Sequence, residues 1–99
     1  MKNFRTFNLA VEFYKQSSTI KFSGHLKDQF QRAALSIPLN LAEGRGKATV
    51  KDQKRFFSIA FGSLRECQAI LILSEQEDTE IARLLDKLAA HLYLLMKNS

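Results

Sequence analysis

The stretch RAALSIPLNLAEGRG, Arg32–Gly46, carries apolar residues at helical spacing, but on two sides of the helix. At roughly 100° per residue, with Arg32 at zero, Leu26, Phe30, Ala33, Ala34, Ile37 and Leu41 fall within roughly 100–200°. Leu35, Leu39 and Ala42 form a second strip at roughly 280–340°. Between the strips runs a polar row of Gln29, Arg32, Ser36, Asn40 and Glu43. Lys27, Gln31, Pro38 and Arg45 occupy the remaining side, which is expected to face solvent. A helix packed only within its own domain needs one apolar face. The first arc is therefore expected to pack the chain's own core, and the second to pack another helix or subunit. The row Arg32, Ser36, Asn40, Glu43 is expected to form a partly buried structural seam. Buried charge is costly unless paired, so Glu66 is the candidate partner of Arg32. Pro38 costs a helix interior about 3 kcal/mol, yet helical spacing continues past it to Glu43.

Helical spacing recurs three more times, and no sustained period-two alternation marks a strand. The expected helices span roughly 6–20, 25–43, 50–74 and 79–97. In the first, Phe7, Ala10, Val11 and Tyr14 share a face, and Ser17, Ser18 and Thr19 weaken its end. Gly44 and Gly46 are expected to close the second by taking the left-handed conformation. Thr49 and Asp52 imitate a capping box at the start of the third, whose core stripe is expected to be Phe56, Ile59, Ala60, Ser63, Leu64, Cys67 and Leu71. Phe61 and Ile72 lie off that stripe and join Leu35 and Leu39 as candidate subunit-interface residues. Gly62 suggests close approach of another helix beside it. The fourth helix carries Ile81, Leu84, Leu85, Leu88, Leu92 and Leu95. Four helices joined by short connections give a single all-α domain, an up-down-up-down antiparallel four-helix bundle.

The 99 residues suffice for one small domain, and 45% hydrophobic with 25% charged residues is a folded composition. A lone Cys67 excludes an internal disulfide. The N-terminus MKNFRTFNL has no leader pattern, and the longest clean apolar run, Ala69–Leu73, is too short for a bilayer. A cytoplasmic protein with no membrane partner is expected. GRGKAT lacks the glycine and the hydroxyl residue of a phosphate loop, since Leu41 and Ala48 stand there. His25 and His91 have no ligand-spaced partners, and no nucleophile–base pair can be argued from spacing. No catalytic residue, metal site or cofactor is expected, and the chain reads as a non-enzyme.

Charge provides the functional signal. The net charge is +5, and RGKATVKDQKR, Arg45–Arg55, holds most of it: Arg45, Lys47, Lys51, Lys54 and Arg55 face Asp52 alone. This run spans a loop and a helix start, where backbone N–H groups also favour anions. It is the candidate site for sequence-independent, salt-sensitive binding of RNA or DNA.

RAALSIPLNLAEGRGK followed by FFSIAFGSLRECQAIL resembles a family of small bacterial four-helix bundles, the proteins encoded by intervening sequences of 23S ribosomal RNA genes. It is also similar to the accessory variability determinants of diversity-generating retroelements. Arg32, Ala33, Ser36, Ile37, Asn40, Ala42, Glu43 and Gly44 match the first part of the pattern; Phe56, Ile59, Ala60, Gly62, Ser63 and Glu66 match the second. Leu41 stands where isoleucine is usual, and Cys67 where leucine is common. The resemblance implies a homopentameric ring and, in the retroelement branch, a basic surface that binds nucleic acid and a reverse transcriptase. Together these features lead us to expect an oligomeric nucleic-acid-binding bundle. The alternative is a protein–protein scaffold with no intrinsic nucleic-acid role.

Overall fold

Cooperative helix formation needs a buried face more than high propensity, and each helical segment of this chain finds one. The computed structural model describes residues 4–97 and contains four helices: α1 (Arg5–Ser17), α2 (Leu26–Arg45), α3 (Val50–Leu73) and α4 (Glu80–Lys97). The reading of the N-terminus as leaderless begins on residues 1–3, outside the described residues. Consecutive helices pack on one another, and α4 returns to pack on α1, which makes an up-down-up-down four-helix bundle. Phe13, Phe30, Ile37, Leu41, Leu64, Leu71, Leu85, Leu88 and Leu92 are fully buried along its axis. Each such side chain contributes about 1.5–3 kcal/mol of burial. Phe13 and Phe30 meet edge to face, with ring centroids 5.8 Å apart.

The sequence wheel holds for the core arc of α2, where Phe30, Ala33, Ala34, Ile37 and Leu41 are buried. It fails for Pro38, which is buried inside an unbroken helix rather than turned to solvent. Because α2 packs against both α1 and α3, its buried arc is wider than a single contact requires. Gly44 and Gly46 do not close the helix with left-handed residues. Gly44 lies within α2, and Gly46 caps it at φ −83°, with its N–H donating to Ala42 and Glu43 carbonyls. Positive φ occurs instead at Gly24 (60°) and at Glu75 (58°), which turns the chain after α3.

Two helices are rotated from their expected phase. In α1 the buried residues are Thr6, Leu9, Ala10, Phe13 and Ser17, whereas Tyr14 is exposed. Two polar members hid this stripe from a hydrophobicity reading. Ser17 tolerates burial because its hydroxyl donates to the Tyr14 carbonyl. Ser18 and Thr19 make similar bonds to Lys15 and Gln16 carbonyls, and the helix ends there. In α3 the buried stripe is Phe57, Ala60, Leu64, Cys67, Ile70 and Leu71. Phe56 and Ser63 are half-buried and Ile59 is 44% exposed, contrary to expectation.

The cause of the α3 rotation is Gly44. A Cβ there would lie 2.7 Å from the Phe57 ring and 3.1 Å from the Gln53 carbonyl oxygen. The missing side chain lets the Phe57 ring slide under α2. Thr49 Oγ1 then caps α3 by accepting from the Asp52 N–H at 3.1 Å. By contrast, among the described residues nothing beyond Gly62's own helix turn lies within 4 Å of a Cβ there, so the expected close approach at that position is absent within the described subunit.

By length and composition α3 could cross a bilayer, despite the short apolar run read from the sequence. In the bundle one stripe of α3 enters the core while Ile59, Ile72 and Leu73 are exposed, and Arg65 and Glu66 lie about two-thirds of the way along the helix.

Candidate nucleic-acid interface

The up-down-up-down path gathers the start of α1, the end of α2, the start of α3 and the end of α4 at one pole. Arg45, Lys47, Lys51, Lys54 and Arg55 all lie there, and the topology adds Arg5 and Lys97, which sequence distance had separated from the run. The other pole holds the two remaining connections and is mixed in charge, with Glu75, Glu77, Asp78 and Glu80 beside Lys15, Lys21, Lys27 and Arg83. The positive charge is thus concentrated at one end of a long dimension of 41 Å.

Aromatic rings organise the basic pole. The Arg45 guanidinium sits 4.5 Å from the centroid of Phe4. Phe4 is buried, stacks on Phe7 at 6.3 Å and meets the edge of Phe57 at 6.4 Å. Lys47 Nζ and the Arg55 guanidinium lie 5.0 and 5.3 Å from the centroid of Phe56. The connection is held further by Gln53 Nε2, which donates to the Lys47 carbonyl at 3.0 Å. Lys51 and Arg55 are exposed and Lys54 is half-buried. Among the described residues the only ion pair is Lys47 Nζ to Glu43 Oε2 at 3.1 Å, so Glu43 partly offsets Lys47 and leaves the other cations unpaired. The sequence reading missed Phe4 and Phe56 as partners of these cations. An aromatic pair directly after Arg55 was the available signal, and Phe4 offered none, since only the fold brings it near Arg45.

The expected seam assembles in part. Asn40 Nδ2 donates to the Ser36 carbonyl at 2.9 Å and to Ser36 Oγ at 3.0 Å. Ser63 Oγ donates to Ser36 Oγ at 2.8 Å, linking α2 to α3. Arg32 and Glu66 are exposed and do not pair. Exposure explains this, because solvated charges gain little from an ion pair. Glu66→Ala is accordingly expected to change monomer stability by less than about 0.5 kcal/mol. Ser63→Ala, which removes the interhelical bond, is expected to cost about 1 kcal/mol in urea denaturation. A larger loss for Glu66→Ala than for Ser63→Ala would reverse this assignment.

The candidate interface residues divide between two surfaces. Leu35 and Leu39, 39% and 59% exposed, flank the Ser36–Ser63 contact on the outer side of the α2–α3 pair. By helical phase, Ile59 and Gly62 of α3 share that side. Ile72 lies on the other flank of α3, in a cleft of about 360 Å³ facing α4. Phe61 is half-buried against the core beneath the Arg65 guanidinium, 4.8 Å from its ring centroid. Gln68 bridges this flank, accepting from Arg65 Nη1 at 2.8 Å and donating to Asp86 Oδ1 at 3.3 Å.

Cys67 is fully buried and its Sγ lies 3.8 Å from the Phe30 carbonyl. Burial, and secondarily the charge of Glu66, pushes its thiol from 9.0 up to about 12. A raised pKa adds stability that is complete below the unfolded value and lost as pH climbs through the folded one. The folded protein should therefore resist thiol alkylation at pH 8. Its stability loss between about pH 9 and 12 should be shallower in Cys67→Ala than in the parent. Alkylation of the native protein at the rate of a free thiol would contradict this. Among the described residues no three of His, Cys, Asp and Glu come close enough to share a metal ion.

Compared with known families, residues 4–97 match the family model described as 23S rRNA-intervening sequence protein. No curated protein matches the chain significantly.

Proposed function

Because the chain belongs to the 23S rRNA-intervening sequence protein family, we propose that it is a non-enzymatic, cytoplasmic, oligomeric bundle that binds RNA or DNA through its basic pole. The observation that carries this reading is the convergence of Arg45, Lys47, Lys51, Lys54 and Arg55 at one end, opposite an end of mixed charge. Phosphate contacts by such a cluster release counterions, so binding should weaken steeply with salt. Oligomerisation repeats the cluster and adds weak contacts by multivalency. The outer strip of Leu35, Leu39 and Ile59, with the open space beside Gly62, supports self-association through the α2–α3 pair.

The test is fluorescence anisotropy with a structured RNA of generic sequence across a salt series, run beside light scattering. Binding that falls at least tenfold between 50 and 200 mM salt is expected from about three or more phosphate contacts, together with a scattering mass above that of one chain. Absent or salt-insensitive binding would remove the nucleic-acid role, and a monomer at micromolar concentration would remove the oligomer.

The same exposed leucines favour a second reading, a scaffold for protein contacts, with a reverse transcriptase as one form of partner. That reading gains if Leu39→Glu abolishes function while the charge-reversed pole retains it.

A further inference from the structure

The basic pole differs from an ordinary solvated charge cluster in what lies under it. Phe56 is half-buried, at the edge of the core, and two cations from different parts of the chain converge on its ring. Lys47 comes from the α2–α3 connection and Arg55 from the adjacent position of α3. The ring's role in the core is taken by its neighbour Phe57, which is 2% exposed beneath Gly44. Phe56 is therefore an aromatic surface at the rim, carried by a helix and bordered by Arg55 and by Lys47, which also pairs with Glu43.

That juxtaposition is the arrangement single-stranded nucleic acid requires. Phosphates take the cations, and a base takes the ring face. A duplex supplies only the phosphates, because its bases are stacked on one another. Lys47 is on a connection, and its ion pair with the exposed Glu43 is a solvated surface contact, so its ammonium group can exchange ring and carboxylate for a phosphate and free a face for stacking. A cation–ring contact near the surface is weaker than a base–ring stack, so the exchange favours binding.

Resting on the nucleic-acid reading above, we propose that the basic pole selects unpaired nucleotides, with a base stacked on Phe56 and the flanking phosphates held by Lys47, Lys51 and Arg55. The ligand class is single-stranded RNA or DNA, or an unpaired loop or end. The ring reads no base identity, so discrimination is between unpaired and paired strands.

The experiment measures anisotropy on the intact protein with four probes of equal length: single-stranded RNA, single-stranded DNA, the DNA duplex, and a single strand with abasic sites. The parent protein should bind the intact single strand about tenfold tighter than the abasic strand, which has the same charge. Phe56→Leu should bind both single strands alike, at the level the parent shows for the abasic probe. Phe56→Tyr should restore the difference. The comparison of RNA with DNA identifies the source of the strand.

Equal binding of intact and abasic strands by the parent overturns the proposal, whatever the variants do. So does a Phe56→Leu protein that keeps the intact-over-abasic ratio. A ring closed between subunits would show as a changed scattering mass in Phe56→Leu with that ratio intact, and also overturns it. If duplex and single strand bind equally and with salt sensitivity, stacking fails while the basic-pole reading stands. If no probe binds, both fall.

Discussion

Replacing Lys47, Lys51 and Arg55 together by glutamate should lower affinity for RNA at least a hundredfold at low salt and flatten its salt dependence. Each lost phosphate contact removes about 0.7–0.9 from the slope of log affinity against log salt, so three contacts remove about two to three. The fold should survive, because Lys51 and Arg55 are exposed and Lys47 contributes no more than a surface ion pair and a ring contact. The glutamate introduced at position 47 would stand four residues from Glu43, a like-charge pair worth a few tenths of a kcal/mol. Circular dichroism and light scattering on the variant separate lost binding from lost structure or assembly. Reversal of Lys15, Lys21 and Lys27, exposed at the opposite pole, is the matched control and should leave binding nearly unchanged. Equal losses from the two sets would mean that net charge alone, rather than the pole, attracts the ligand.

A methyl group added at two glycines of the same fold should act in opposite directions. At Gly44 the new Cβ would stand 2.7 and 2.9 Å from Phe57 ring carbons and 3.1 Å from the Gln53 carbonyl oxygen. Alanine improves helix propensity by about 1 kcal/mol, but overpacking a filled core costs about 1–3 kcal/mol. The ring cannot simply step aside, since it is 2% exposed and edges against Phe4. Gly44→Ala should lose about 1 kcal/mol net, and Gly44→Val about 3 kcal/mol or more, because the β-branch worsens both terms. At Gly62, among the described residues, nothing beyond its own helix turn lies within 4 Å of the added carbon, so Gly62→Ala should stabilise the monomer by about 1 kcal/mol. Urea denaturation under dilute conditions measures both. A stabilised Gly44→Ala would show that α2 and α3 can separate freely at this crossing. If Gly62→Ala stabilises the monomer yet lowers the scattering mass, the open space at Gly62 is filled by a second subunit.

These glycines also show where a sequence reading loses its grip. Both stand inside helices, although the sequence reading has Gly44 ending α2 through a left-handed conformation. Its actual use is steric, and the atom it accommodates belongs to Phe57, thirteen residues further on. The same contact explains the error in α3. Phe56 and Phe57 are adjacent aromatics of equal hydrophobicity, and periodicity alone cannot say which one enters the core. Once Phe57 is accepted beneath Gly44, Ile59 turns outward and Ile70 inward. In α1 the wheel followed hydrophobicity and passed over Thr6 and Ser17, which are buried in the stripe. The seam was legible as to Ser36 and Asn40, whose spacing allows contact within one helix. It was not legible as to Arg32 and Glu66, because pairing depends on burial that the α2–α3 surface does not provide.

Taken alone, the sequence determined the number and order of the helices, the all-α class, most of the core arcs of α2 and α4 (Leu26, Leu84 and Leu95 are only half-buried, and Ala82 joins the core), and the basic run. Each of these is a local property, set by a 3.6-residue period, by capping and by the density of charge along the chain. Only the tertiary structure decided the rotation of α1 and α3 and the burial of Pro38. It alone joined Arg45 to Phe4, seated Lys47 and Arg55 on Phe56, and brought Arg5 and Lys97 to the basic pole. Those outcomes depend on which surfaces meet when four helices close around one core, and contacts between residues distant in the chain leave no period to read.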